Sequence, residues 1–171
     1  MSANIPEFTI SREFAASREK LWNAWTNPQE MAKWWGPKGF TVGKYNMDFR
    51  PGGTYLYSIK SPEGFTMWGK FTYREITAPE KLVFINSFSD ENGGITRHPL
   101  SPTWPQELLS TITFAEKDGK TTITVRWTPH NANEVEIKTF ADGMASMVQG
   151  WGGTFDQLGD YLKNSLAPPK S

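Results

Sequence analysis

Residues 133–162, NEVEIKTFADGMASMVQGWGGTFDQLGDYL, decide the fold. Phe140, Met144, Met147, Val148, Trp151, Phe155, Leu158 and Leu162 recur at intervals of three and four, which puts one broad apolar face on a helix. Asn133 can cap that helix, and Glu136, three residues on, completes a capping box. About thirty residues at a 1.5 Å rise make a rod of roughly 45 Å, long enough to cross a whole sheet. Yet the stretch also holds Gly143, Gly150, Gly152 and Gly153. Each costs a helix interior roughly 0.8–1.0 kcal/mol relative to alanine. That cost is tolerable where the helix lies close to a curved sheet and projects Trp151 and Phe155 into the gap. Tight packing alone satisfies this reading, and so does packing beside a cavity. A dinucleotide site does not fit, because GWGGTF has Phe155 in place of the third glycine and sits within a helix instead of after a strand.

What the helix would cross is β. From Phe40 to about Pro129 the segments FTVGKYNMDFR, TYLYSIK, FTMWGKFTYREI, KLVFINSF, ELLSTITFAE and TTITVRWT are separated by turn chemistry at PGG (51–53), SPEG (61–64), APE (78–80) and DG (118–119). An antiparallel meander follows. RPGGTY lacks the lysine and following helix of a phosphate loop and reads as one of these turns. Ahead of the meander, EFTISREF (7–14) alternates as a strand, Ser17 caps a short helix with Leu21, Trp22 and Trp25 on its apolar face, and NPQEMAKWWGP carries the cap, N1 proline and stop of a second helix of under three turns. SDENGGITRHPLSPTWP, near residues 90–105, has no periodicity and is too long for a plain connection, so it reads as a lid or a partner-binding loop.

Composition excludes several classes of function. The 171 residues suit a single domain, with a core from 8 to 163 and a tail at 164–171. Eighteen basic and eighteen acidic residues cancel without a like-charge run, which argues against nucleic acid as a partner. There is no cysteine, so disulfides, thiolate metal sites and thiol nucleophiles are out. No signal-like or membrane-spanning apolar run occurs, so no membrane partner is expected and a cytoplasmic location is the default. Eight tryptophans and eleven phenylalanines are the unusual feature, because each ring buries about 150–250 Å². The chain needs large flat apolar walls.

Candidate chemistry is sparse. His98 and His130 lie in or beside loops with no nucleophile motif near them, which favours surface or hydrogen-bonding roles, and no metal-ligand spacing occurs. Asp48 and Arg50 stand two residues apart on one strand face, either as an ion pair that pins the hairpin or with Arg50 placed to orient a ligand carboxylate. No catalytic residue, metal or cofactor is assigned.

LWNAWTNPQEMAKWWGPKGFTV, MDFRPGGTYLYSI, YREITAPEKLVF, NSFSDENG, HPLSPTWPQELLSTITF and QGWGGTFDQLGDYL resemble, in order and spacing, the AHSA-type family (activator of heat shock protein 90 ATPase homologue) of the START-like, SRPBCC superfamily. The resemblance runs from about residue 8 to 163. It implies an α+β helix-grip fold: a curved antiparallel seven-strand sheet (β-α-α-β6-α) around a long C-terminal helix, two short helices after the first strand, and a cavity between sheet and helix. Functions vary across the family, so fold alone does not assign one.

Strand parity then turns Met47, Phe49, Tyr55, Tyr57, Phe71, Tyr73, Phe84, Ile112, Phe114, Val125 and Trp127 toward Met144, Met147, Val148, Trp151 and Phe155. Such a stripe serves as plain core or as a ligand wall. Methionines at 47, 67, 144 and 147 suit a wall that adapts to a guest, and tyrosines supply orienting polar groups. The expected ligand contacts are Trp35, Met47, Tyr55, Tyr57, Trp68, Phe71, Phe84, Met144, Met147 and Trp151. The leading expectation is non-catalytic binding of a hydrophobic or amphipathic small molecule. The alternatives are a cyclase-, aromatase- or hydrolase-like enzyme using a tyrosine or Asp48, and a chaperone-ATPase partner. A homodimer through exposed tryptophans at the sheet edge or in the 90–105 loop also stays open.

Overall fold

Ser17 fixes where the first helix starts. In the computed structural model, which describes residues 5–36, 39–98 and 101–166, its hydroxyl accepts from the Lys20 N–H at 3.1 Å and opens α1 (Arg18–Thr26) after strand β1 (Phe8–Phe14). Asn27 closes α1 and caps α2 (Pro28–Met31) through Gln29 N–H at 2.9 Å, with Pro28 at the first helical position. The second helix is a single helical turn followed by further turns, within the under-three-turn length expected, and it brings Trp34 and Trp35 inward beside Trp25.

The meander forms as expected: β2 (Thr41–Met47), β3 (Thr54–Lys60), β4 (Thr66–Thr77), β5 (Lys81–Ser89), β7 (Glu107–Lys117) and β8 (Lys120–His130), with a two-residue β6 (Ile95–Thr96) added inside the long loop. The sheet order is β1-β8-β7-β5-β4-β3-β2, every pairing antiparallel, and β6 pairs with β5. Asp118 and Gly119 both take positive φ, as a two-residue hairpin between β7 and β8 requires.

The C-terminal helical region is two helices. Asn133 and Glu136 form the reciprocal capping box that opens α3 (Glu134–Asp142), which ends at Gly143 with φ −93° and ψ 9°. Helix α4 (Met144–Leu166) then runs across the sheet. Val148 is exposed, so the buried face of α4 is Met147, Trp151, Phe155, Leu158 and Leu162. Residues 164–166 continue α4 where a tail was expected, and the remainder of that segment lies outside the described residues. Among the described residues, no helix is long and apolar enough to cross a membrane.

Two ends of the space between sheet and helix differ. At one end α1 and the α2 region fill it with rings: Trp22 against Phe114 at 5.4 Å, and Trp25 stacked on Trp151 at 6.1 Å. Phe71 and Phe84 stack at 4.1 Å on the sheet below, beside Tyr73. Polar clasps hold α4 to α2 and to the segment after it. Thr154 Oγ1 donates to the Gly36 carbonyl at 3.0 Å, the Gln157 amide to the Trp34 and Gly36 carbonyls at 3.1 and 2.8 Å, and Tyr161 to Glu30 at 2.7 Å. The other end is hollow.

Candidate functional site

The hollow begins where inward-facing side chains become small or polar. On β5 the inward row passes from Leu82 and Phe84 to Asn86, and on β7 Ser110 lies between Leu108 and Ile112, its hydroxyl bonded to the Asn86 amide oxygen. On β4 the register partner of Tyr57 is Gly69. A side chain at Gly69 would collide with the Tyr57 ring, so the missing Cβ lets the phenol lie across the neighbouring strand. Over this end stand α3, the start of α4, His98 and residues 101–106. They border a half-open cavity of about 610 Å³, within the range of small-molecule sites.

Its walls come from every layer. Trp35 and Gly36 follow α2; Tyr57, Ile59, Met67, Trp68 and Gly69 come from β3 and β4; Asn86, Ser87, Phe88, Leu108 and Trp127 come from β5, β7 and β8. His98, Ser101, Trp104, Pro105 and Gln106 form the cover, and Thr139, Asp142, Gly143, Ser146, Met147, Gly150, Trp151 and Thr154 the helical side. Trp35 meets Tyr57 edge-on at 5.9 Å, and Trp151 meets Trp35 and Trp127 edge-on at 5.7 and 5.5 Å. The indole N–H of Trp127 is buried and has no hydrogen-bond partner.

The cover is pinned to α3. Arg97 donates to the Glu136 carboxylate at 2.8 Å and to the Pro102 carbonyl at 3.1 Å, and Thr139 Oγ1 donates to Thr103 at 2.9 Å. Trp104 packs on Phe140 at 5.7 Å and lies so close to Gly143 that an added Cβ would sit 3.1 Å from its ring. Glu136 is held below the usual carboxylate range, first by the Asn133 backbone N–H and then by Arg97.

Glycines in α4 act differently from the expected close approach of backbones. Around Gly150, which lines the cavity, and around Gly152, an added Cβ would meet nothing within 4 Å. Gly150 leaves open space, whereas Gly143 makes room for Trp104.

Of the ten residues expected to contact a ligand, Trp35, Tyr57, Trp68, Met147 and Trp151 line the cavity. Tyr55, Phe71 and Phe84 lie instead in the packed core, and Met47 and Met144 pack against that core without lining the cavity. Alternation places the sheet residues on the inward face but does not say how far along each strand the hollow starts. Asn86, Ser87, His98, Ser101, Gln106 and Gly150 were missed. The polar residues at inward positions 86 and 110, breaking otherwise apolar rows, were the available signal.

Asp48 and Arg50 form an exposed ion pair at 2.9 Å in the turn after β2, away from the cavity, so Arg50 does not face a guest there. His130 lies beside Arg74 at 3.4 Å, and His98 packs tilted against Phe88 with ring centroids 4.8 Å apart, where burial lowers its pKa. Burial pushes the Tyr57 phenol up to about 12, partly countered by the Trp35 hydrogen bond. It stays protonated near neutral pH and serves as a hydrogen-bonding group instead of a base. Among the described residues no three of His, Asp and Glu come together as a metal set. Trp22, Trp25, Trp34, Trp35 and Trp151 are buried, whereas Trp68, Trp104 and Trp127 are half-buried.

A family model described as Activator of Hsp90 ATPase homolog 1-like protein matches residues 15–163. The chain belongs to this family. Solved structures similar to this AHSA1-type chain include protein Ms6760 from Mycobacterium smegmatis, at 23% identity over 99% of each chain with a TM-score of 0.73. A protein from Arthrobacter aurescens is 24% identical over 92% of this chain and 86% of that one, with a TM-score of 0.76. The AHSA1 protein from Silicibacter pomeroyi is 18% identical over 94% and 99%, with a TM-score of 0.68. These likenesses establish the helix-grip fold shared with the family. Comparison with curated proteins gives no match.

Proposed function

We propose that this AHSA1-type protein is a binding module that captures a hydrophobic or amphipathic small molecule between sheet and α4, without covalent chemistry. The cavity of about 610 Å³, walled by tryptophans and tyrosine, carries this reading. Covering roughly 200 Å² of apolar guest yields about 5 kcal/mol before ordering costs, enough for weak to moderate affinity. Tyr57, Asn86 and Gln106 supply the few polar groups that orient a guest.

A cyclase-, aromatase- or hydrolase-like reaction has less support. The cavity tyrosine holds its proton, and Asp48 is engaged by Arg50 outside the cavity. The chaperone role named in the family description calls on an outer surface, and is tested separately by whether the chain raises a chaperone's ATPase rate.

The deciding experiment is a thermal-shift screen against fatty acids, polyketides and aromatic metabolites, run beside a Gly150→Leu variant that fills the cavity. A dose-dependent rise in melting temperature for the wild type alone supports the module. Silence across the panel defeats it.

A further inference from the structure

We propose that the cavity selects its guest by charge, taking uncharged or protonated-amine amphiphiles and excluding carboxylates. This rests on the binding-module reading and narrows the chemical class of the ligand.

Among the described residues, no lysine or arginine lines the cavity, and Asp142 is its one acidic group. Among the described residues, three cations have partners of their own, one of them Asp142 itself at the cavity edge. Arg97 binds Glu136 and the Pro102 carbonyl, Lys70 donates to the Gly93 carbonyl at 3.0 Å, and Lys138 pairs with Asp142 at 2.8 Å. His98 is the remaining titratable base in the wall, and burial favours its neutral form. A carboxylate entering this space gives up its water without meeting a countercharge, and a buried unpaired charge is heavily penalised. A protonated amine meets the opposite situation: Trp35, Trp127 and Trp151 line the space, aromatic rings attract cations, and the Asp142 carboxylate, shared with Lys138, stands at the exposed edge, as does Ser146. A neutral amide loses little, because Asn86, Ser101 and Gln106 in the lining can satisfy it.

The test is a calorimetric titration with two matched series. One is naphthaleneacetate, naphthaleneacetamide and naphthylethylammonium; the other is decanoate, decanamide and decylammonium. In whichever series binds, the carboxylate is expected to bind about a hundredfold more weakly than the amide or amine, the fold-change that an unpaired buried carboxylate implies. Ser146→Lys, at an exposed position on the cavity edge, should narrow that gap by strengthening the carboxylate and weakening the amine. Asp142→Asn should weaken the amine and leave the amide unchanged. Equal binding within a series, or a preferred carboxylate, overturns the charge rule while the module reading stands. Absence of binding by every member of both series overturns the two together.

Discussion

Tyr57 lies across Gly69, its register partner on the adjacent strand, and the absent side chain of Gly69 is the space the phenol occupies. One wall of the cavity therefore depends on a residue whose own contribution is an absence. Gly69→Ala should force the ring off the strand and into the cavity. Overpacking of this kind costs typically about 1–3 kcal/mol. Urea unfolding should show that loss, and any guest that raises the wild-type melting temperature should raise the variant's less. An unchanged midpoint and unchanged guest response would mean that the Tyr57 ring is not confined as described.

Gly150 predicts the opposite sign. A Cβ there meets nothing within 4 Å, so Gly150→Ala should gain close to the full helix-propensity difference, about 0.8–1.0 kcal/mol. Gly150→Leu should keep much of that gain and lose the guest. If alanine destabilises the protein, the space beside Gly150 is not open.

The pH dependence of the cover follows from Glu136. Its folded-state pKa lies below that of the unfolded chain, so the ionised carboxylate stabilises the fold above the ordinary glutamate range. That contribution disappears as pH falls through this range toward the depressed folded value. Glu136→Gln keeps the capping geometry and removes the charge. Its melting temperature should fall below wild type at neutral pH, and the two should converge in acid. A constant gap across the acid limb would show that Arg97 and the Asn133 N–H do not favour the charged form.

Trp151 joins the packed end to the hollow end, touching Trp25 at 6.1 Å, Trp35 at 5.7 Å and Trp127 at 5.5 Å. Trp151→Ala should cost about 3–5 kcal/mol in chemical denaturation. A loss under about 1 kcal/mol would place this ring outside the core.

These relationships were unevenly legible in the sequence. The caps at Ser17, Asn27 and Asn133 and the Asp118-Gly119 hairpin could be read because their chemistry is local. The inward faces of the strands could be read because side chains alternate. The break at Gly143 was hidden, because Phe140, Met144 and Met147 keep helical spacing straight through it. What crowds Gly143 is non-local: the ring of Trp104, thirty-odd residues upstream, lies over it. The position of the hollow was hidden for a similar reason. Phe71 and Phe84 share their strand faces with cavity residues, and only the docking of α1 and the α2 segment decides which end of each row is covered.

The central claim, that the space under α4 receives a guest, is tested most directly on the tryptophan indole N–H resonances during titration with the best-binding probe. Trp35, Trp68, Trp127 and Trp151 line the cavity, whereas Trp22 and Trp34 lie outside it, with the Trp34 N–H bound to the Ala24 carbonyl at 3.0 Å. The account predicts saturable shifts of the first four signals and stationary signals for Trp22 and Trp34. Shifts confined to Trp22 and Trp34, or a probe that binds without moving the cavity indoles, would contradict it.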